Sequence, residues 1–164
     1  MMLRIAAELH AMASPKTRRG KATPVTELLL GGDAGQFSPV AVYKLIAKGF
    51  DLEDVKTMLS MSSLYSKKNI LSRLMGKSLR SVRRQSGVKQ PVRLNAQQSA
   101  VAFQYACVLE HAIRVFGAQR LAEEWLERPC RYLEGDAPLD VVDNALGFQV
   151  VKDYLNRIEF ALYH

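Results

Sequence analysis

The stretch LSRLMGKSLRSVRR, residues 71–84, has the spacing of a helix-turn-helix. Such a motif needs a small residue where its two helices cross, a residue that tolerates positive φ in the turn, and apolar residues that anchor the second helix. Ser72 and Gly76 meet the first two needs, and Leu79 and Val82 meet the third. The stretch therefore predicts two helices joined at a glycine turn.

The outward side of the predicted second helix suits contact with nucleic acid. The planar guanidinium of arginine can pair bidentately with guanine or phosphate, and a helix N-terminus favours a phosphate. The predicted DNA-binding residues are Lys67, Lys68, Lys77, Ser78, Arg80, Ser81, Arg83 and Arg84. An ordinary basic helical hairpin is the alternative, because Lys77 stands where such motifs usually keep an aliphatic residue.

The charge of the chain is unevenly distributed around a total of +7. Residues 1–109 carry 17 Lys and Arg against 6 Asp and Glu, a balance of +11, whereas residues 110–164 carry 6 against 10, a balance of −4. Between Asp54 and Glu110 the sequence contains no acidic residue. A polyanion is the natural partner of the basic part, with an ordinary solvated surface as the alternative.

Start and stop signals outside this stretch predict further helices. Ser38 can cap a helix that has Pro39 in its first turn and ends at Gly49. A long helix is expected from Asn95 to Gly117, because apolar residues recur between them at helical spacing. Since no segment alternates with period two, the sequence predicts an all-α fold.

The acidic part is expected to be helical as well. Asp136 can cap a helix with Pro138 in its first turn, and Gly147 is expected to separate that helix from the last one. Val150 is predicted among the apolar residues of this last helix. Trp125, the only tryptophan, is predicted to lie in the core.

The sequence offers little for catalysis. Cys107 and Cys130 have no metal-ligand spacing and are expected to be buried thiols in a reducing compartment, which favours a cytoplasmic location. The three histidines are scattered, and Glu123 and Glu124 diverge by about 100° around a helix, so they are interpreted as solvent-facing charge. We therefore expect no enzyme, no cofactor and no metal site. No secretion signal or membrane span is expected either.

Two segments resemble a known family. LSRLMGKSLRSVRR is similar to the helix-turn-helix of Xre-type antitoxins, and residues 110–164 resemble the toxin-binding domain of the Xre/MbcA/ParS group. The second resemblance is carried, in chain order, by EHAIRVFG (110–117), AEEWLERP (122–129), LEGDAPLDVV (133–142), Gly147 and VKDYLNRIEFALY (151–163). The chain departs from the family at Phe160-Ala161, where a glycine usually follows the Arg-Ile-Glu.

The resemblance implies an Xre-like helix-turn-helix part packed with a helical toxin-binding domain. We expect a variable N-terminal segment at residues 1–37, which can be mobile, a DNA-binding domain at residues 38–109 and a toxin-binding domain at residues 110–164. Members of this group block an NAD-degrading toxin of the RES class and repress their own operon as dimers on operator DNA.

The same resemblance assigns toxin contacts to the last helix. The toxin-binding residues that it implies are Tyr154, Arg157, Ile158, Tyr163 and His164. Tyr163 and His164 are expected to occlude the NAD cleft of the toxin, with a frayed helix end as the alternative. Two other functions stay open: a stand-alone helix-turn-helix repressor whose C-terminal domain only dimerises, and a protein-interaction module with an incidental basic face.

Overall fold

The computed structural model describes residues 24–76 and 91–163, apart from the side chain of Tyr163. These residues form nine α-helices and two short 3-10 helices, with no β-strand among them. The α-helices are α1 (Glu27–Leu30), α2 (Pro39–Lys48), α3 (Leu52–Ser60), α4 (Ser63–Lys67), α5 (Ile70–Met75), α6 (Ala96–Phe116), α7 (Gln119–Glu127), α8 (Pro138–Val141) and α9 (Ala145–Tyr163). The 3-10 helices are Ala34–Gln36 and Arg131–Leu133. The predicted all-α fold is confirmed.

Local signals place the ends of α2 as predicted. The Ser38 hydroxyl accepts a hydrogen bond from the Ala41 backbone N–H at 3.2 Å, and Pro39 is the first residue of the helix. Gly49 ends it at φ 89°, in the region that only glycine adopts without strain. A Cβ at Gly49 would overlap the carbonyl oxygen of Leu94, so the close approach of these two segments also requires glycine.

That close approach joins the chain on either side of residues 77–90. The Leu94 N–H donates to the Phe50 carbonyl at 2.9 Å, and the Leu52 N–H donates to the Val92 carbonyl at 2.8 Å. The buried Phe50 N–H donates to the Ser99 hydroxyl at the start of α6. The pairing amounts to one isolated antiparallel bridge and not to a sheet.

Helix α6 is the centre of the core. It begins with a capping box of Asn95 and Gln98 and ends at Gly117, as the sequence predicts. Its buried residues contact α2, α3, α5, α7 and α9, and the Tyr65 hydroxyl of α4 donates to the Tyr105 carbonyl at 2.9 Å. The predicted domain boundary between residues 109 and 110 lies inside this helix, so both parts share it.

Residues 24–37, from the segment expected to vary, are part of the fold, with α1 packed against α3 and Thr26 bonded to α6. Val25, Leu29 and Leu30 are buried in the core. The backbone N–H and the hydroxyl of Thr26 donate to one carboxylate oxygen of Glu110, at 3.0 and 2.6 Å. These contacts fix α1 to the middle of the long helix.

Several sequence expectations were wrong in the acidic part. Asp136 does not cap α8, because Ala137 occupies the cap position and makes no side-chain bond. Gly147 does not separate two helices, because it lies inside the first turn of α9. Asn144 caps this helix, since its side-chain oxygen accepts from the Leu146 and Gly147 N–H groups. Cys130, and in the basic part Cys107, are half-buried where buried thiols were expected. Val150 lies in the last helix as predicted, and its side chain is exposed.

Candidate functional site

The structure describes two of the eight predicted DNA-binding residues, Lys67 and Lys68. The other six, at positions 77, 78, 80, 81, 83 and 84, lie outside the described residues. The helix that precedes them is as predicted: Ile70 and Leu74 are buried on the inner face of α5, and Gly76 ends it at φ 58°. Lys67 and Lys68 lie at the junction of α4 and α5 with exposed side chains.

Both lysines are bound to an acid of the C-terminal part. Their Nζ atoms lie 3.1 and 2.9 Å from the same oxygen of Glu127, at the end of α7. Hydrogen bonds from Lys68 and Lys67 lower the pKa of the Glu127 carboxyl below its usual value. We call Lys67, Lys68 and Glu127 the lysine clasp.

Polar side chains beside the clasp bind the same two helices together. The Ser63 hydroxyl of α4 donates to Glu123 of α7 at 2.6 Å, and the Gln119 amide donates both to Glu123 and to the Met61 carbonyl. Burial raises the pKa of Glu123, but hydrogen bonds from Ser63, Gln119, Ser62 and the Leu64 backbone outweigh it, so the pKa is lowered. The interpretation of Glu123 as mere solvent-facing charge was therefore wrong, whereas its neighbour Glu124 is exposed and pairs with Arg120.

A second cross-connection lies one helix further on. Arg73 of α5 donates to Asp140 at 3.3 Å and to Asp143 at 3.1 Å, next to the C-terminal end of α8. It also reaches the carbonyl oxygen of Asp140. The basic and acidic parts, separate in the sequence, are thus joined at two places by ion pairs.

The predicted toxin-binding residues fall into three groups. Tyr154 and Ile158 are buried on the inner face of α9, whereas Arg157 is exposed. The side chains of Tyr163 and His164 lie outside the described residues. Of the five, Arg157 is thus the one whose described side chain is free for contact with a partner.

Arg157 stands at the end of an aromatic row that begins in the core. Phe116, Trp125 and Tyr154 follow one another with ring centroids 5.5 and 5.7 Å apart. Trp125, expected in the core, is half-buried and packs against the buried core residues. Tyr132 stacks on Tyr154 at 4.4 Å, and the Arg157 guanidinium lies 5.3 Å from the Tyr132 ring centre. Tyr132 was not predictable from the sequence, because it lies in a 3-10 turn with no periodic neighbours.

The outer face of α9 exposes large apolar side chains on both sides of Arg157. Leu146 is 78% exposed and Phe160 is 65% exposed, and Val150 is exposed as well. Together with Asp153 and Arg157 they recur at spacings of three and four residues, which places all five on one side of the helix. We call these five residues the outer α9 face.

The inner side of α9 is fixed to α6 through a buried histidine. His111 Nε2 lies 3.1 Å from Glu159, and Arg114 donates to the other oxygen of the same carboxylate at 3.2 Å. Burial lowers the pKa of His111, with Arg114 and Lys152 acting in the same direction, and together they outweigh the hydrogen bond to Glu159. Burial raises the pKa of Glu159, but hydrogen bonds from Arg114 and His111 outweigh it and lower the pKa.

These shifts predict acid sensitivity of the contact between α6 and α9. A histidine with a lowered pKa stays neutral in the folded chain while the unfolded chain takes up a proton, so stability falls as the pH drops below the ordinary value of 6.5. The lowered pKa of Glu159 continues the loss below 4.5. The free energy of unfolding, measured with urea at several values between about pH 7.5 and about pH 5, should show this decline, because this range spans the ordinary pKa of histidine. A His111→Gln variant should show a flatter profile, and a profile unchanged by this substitution would contradict the assignment.

Two further observations concern metal ligands and thiol reactivity among the described residues. No group of three or more His, Cys, Asp or Glu within residues 24–76 and 91–163 is placed to hold a metal ion. Burial raises the pKa of the Cys107 thiol to about 12, which makes it a poor nucleophile at neutral pH. None of the helices described here is long and apolar enough to cross a membrane.

The second half of this fold corresponds to a known domain. Residues 111–160, from the middle of α6 almost to the end of α9, match the family model of the antitoxin Xre/MbcA/ParS C-terminal toxin-binding domain. This match supports an Xre/MbcA/ParS-type antitoxin, as the resemblance predicts. The domain implies a toxin-neutralising role in a toxin–antitoxin system. No curated protein matches the sequence.

Proposed function

We propose that the chain neutralises a RES-class toxin, which degrades NAD, by binding the toxin and blocking its active cleft. The observation that carries this proposal is the outer α9 face, because it belongs to the matched toxin-binding domain and exposes Leu146, Val150 and Phe160 around Arg157. Apolar side chains around an arginine that is held on an aromatic ring have the composition of an interface centre. Inhibition is stoichiometric and requires no catalysis by the antitoxin.

Docking and blocking are assigned to different parts of α9. The outer α9 face, with Arg157, binds the surface of the toxin, while the buried Tyr154 and Ile158 support it from the inner side. The terminal residues Tyr163 and His164 enter the NAD cleft. This division follows from the exposure of the described residues together with the family resemblance of the terminal segment.

The basic part is proposed to bind operator DNA and to repress the operon. A turn at Gly76, a buried inner face of α5 and an acid-free sequence from residue 55 to residue 109 support this assignment. We propose a homodimer, since a palindromic operator then presents one half-site to each recognition helix. The protein would act in the cytoplasm, where operator and NAD are both present.

A deletion of residues 161–164 tests the proposed division. The toxin to be tested is a RES-class protein, sought first among the products of the neighbouring genes, and an enzymatic cycling assay of the remaining NAD reports its activity. The full-length chain should stop NAD loss at a stoichiometric ratio, whereas the deleted chain should still co-purify with the toxin but leave it active. Undiminished inhibition by the deleted chain would remove the terminal residues from the mechanism. A full-length chain that binds DNA and leaves the toxin active would favour the stand-alone repressor.

A further inference from the structure

The ion pairs of the described residues are of three kinds. One kind joins two helices of the same half, as His111 and Arg114 of α6 do with Glu159 of α9. Some lie within one helix, such as Lys56 with Glu53 in α3. Others join the two halves of the sequence, namely the lysine clasp and the pairs of Arg73 with Asp140 and Asp143. The three cations that join the two halves, Lys67, Lys68 and Arg73, all come from the α4–α5 region, directly before the other six residues predicted to contact DNA.

In the lysine clasp, one carboxylate pairs with two of the lysines that are predicted to contact phosphate. Both ammonium groups point to the same Glu127 oxygen, at 3.1 and 2.9 Å, which are distances at which an ammonium group also holds a phosphate oxygen. Lysine binds phosphate and carboxylate as a point charge with freely rotating donors, so the two anions compete for it on equal terms. Glu127 therefore imitates a phosphate inside the folded chain.

We propose that Glu127 is an internal competitor of DNA: its carboxylate holds Lys67 and Lys68, and a duplex phosphate must displace it before these lysines can bind. The inference rests on the proposed DNA-binding function and names a regulation of that same site. Because Glu127 lies within the matched toxin-binding domain, that domain lowers the DNA affinity of the other part of the chain.

The exposure of the clasp decides how strong this competition is. Lys67 and Lys68 are exposed and Glu127 is half-buried, so the pairs are screened by salt and contribute little to stability. A duplex offers one phosphate charge per about 1.7 Å of its axis and can replace a single carboxylate. The clasp thus reduces DNA affinity by a modest factor without preventing binding.

The test compares Glu127→Gln with Glu124→Gln by fluorescence anisotropy on a labelled mixed-sequence duplex. Both substitutions remove one negative charge from α7, but Glu124 pairs with Arg120 of its own helix and does not reach the lysines. Glu127→Gln should bind about twofold to fivefold more tightly than the parent chain, the scale of an exposed ion pair. Its slope of log affinity against log salt should be steeper than that of the parent chain, because salt weakens the Glu127 pair that DNA must break in the parent chain and so offsets part of the salt dependence there. Glu124→Gln should change both quantities clearly less.

A second background shows whether the gain passes through the two lysines. In a chain with Lys67→Ala and Lys68→Ala, the Glu127→Gln substitution should no longer tighten binding. Equal gains for Glu127→Gln and Glu124→Gln, or a gain that persists without the lysines, would overturn the clasp while leaving DNA binding intact. If no chain binds the duplex at low ionic strength, the DNA-binding function fails and the inference fails with it.

Discussion

A Gly147→Ala substitution is expected to lower the free energy of unfolding by about 3 kcal/mol, because the added methyl group would collide with the backbone of Val141 in α8. A Cβ there would overlap the carbonyl oxygen of Val141 and lie 2.9 Å from its carbonyl carbon and 3.0 Å from its Cβ. Backbone atoms cannot rotate away as the end of a side chain can. The first turn of α9 must therefore separate from α8. Urea unfolding followed by circular dichroism measures the loss.

Gly32→Ala provides the matched control for this substitution. A methyl group at Gly32 meets only the Phe37 ring, at 3.5 Å, which is ordinary contact distance. We expect its free energy of unfolding to stay within about 0.5 kcal/mol of the parent value or to rise slightly. Equal stabilities of Gly147→Ala and Gly32→Ala would show that α8 and α9 are not in close contact at this point.

The misjudged role of Gly147 illustrates which parts of the fold the sequence could predict. Ser38, Gly49, Asn95 and Gly117 were placed correctly, since a cap or a stop acts on the backbone a few residues away. At Gly147 the deciding atom belongs to another helix. A glycine that ends a helix and a glycine that admits a neighbouring backbone look the same in the sequence.

The candidate site was predictable to a similar extent. The charge pattern of the sequence distinguishes a basic half from an acidic half. It does not predict the contact of Lys67 with Glu127, because the two residues are 60 positions apart and only the packing of α4 on α7 joins them. Tyr132 was missed for the same kind of reason. Its stacking partner Tyr154 lies on a different element, and neither spacing nor composition connects the two rings.

The position of Arg157 on that aromatic row leads to the second large effect. An Arg157→Glu variant is expected to bind the RES-class toxin at least about tenfold more weakly than the parent chain, which is about 1.4 kcal/mol or more. The substitution removes the cation from the Tyr132 ring and adds an acid beside Asp153, with Leu146 and Phe160 left on either side. Isothermal titration of toxin with antitoxin measures the change in dissociation constant.

Lys152→Glu is the control, since it makes the same change of charge on the same helix. Lys152 is exposed. It stands five residues before Arg157, which corresponds to a rotation of about 140° around the helix, so its side chain lies away from the outer α9 face. If toxin binds through that face, Lys152→Glu should weaken the complex much less than Arg157→Glu. Equal losses of affinity in the two variants would mean that the total charge of the domain governs binding. If neither variant lost affinity, the toxin would not bind through the outer α9 face. Thermal unfolding of both variants shows whether weaker binding reflects a loss of fold. Both should remain folded, because the contact of Arg157 with the Tyr132 ring contributes only about 1 kcal/mol.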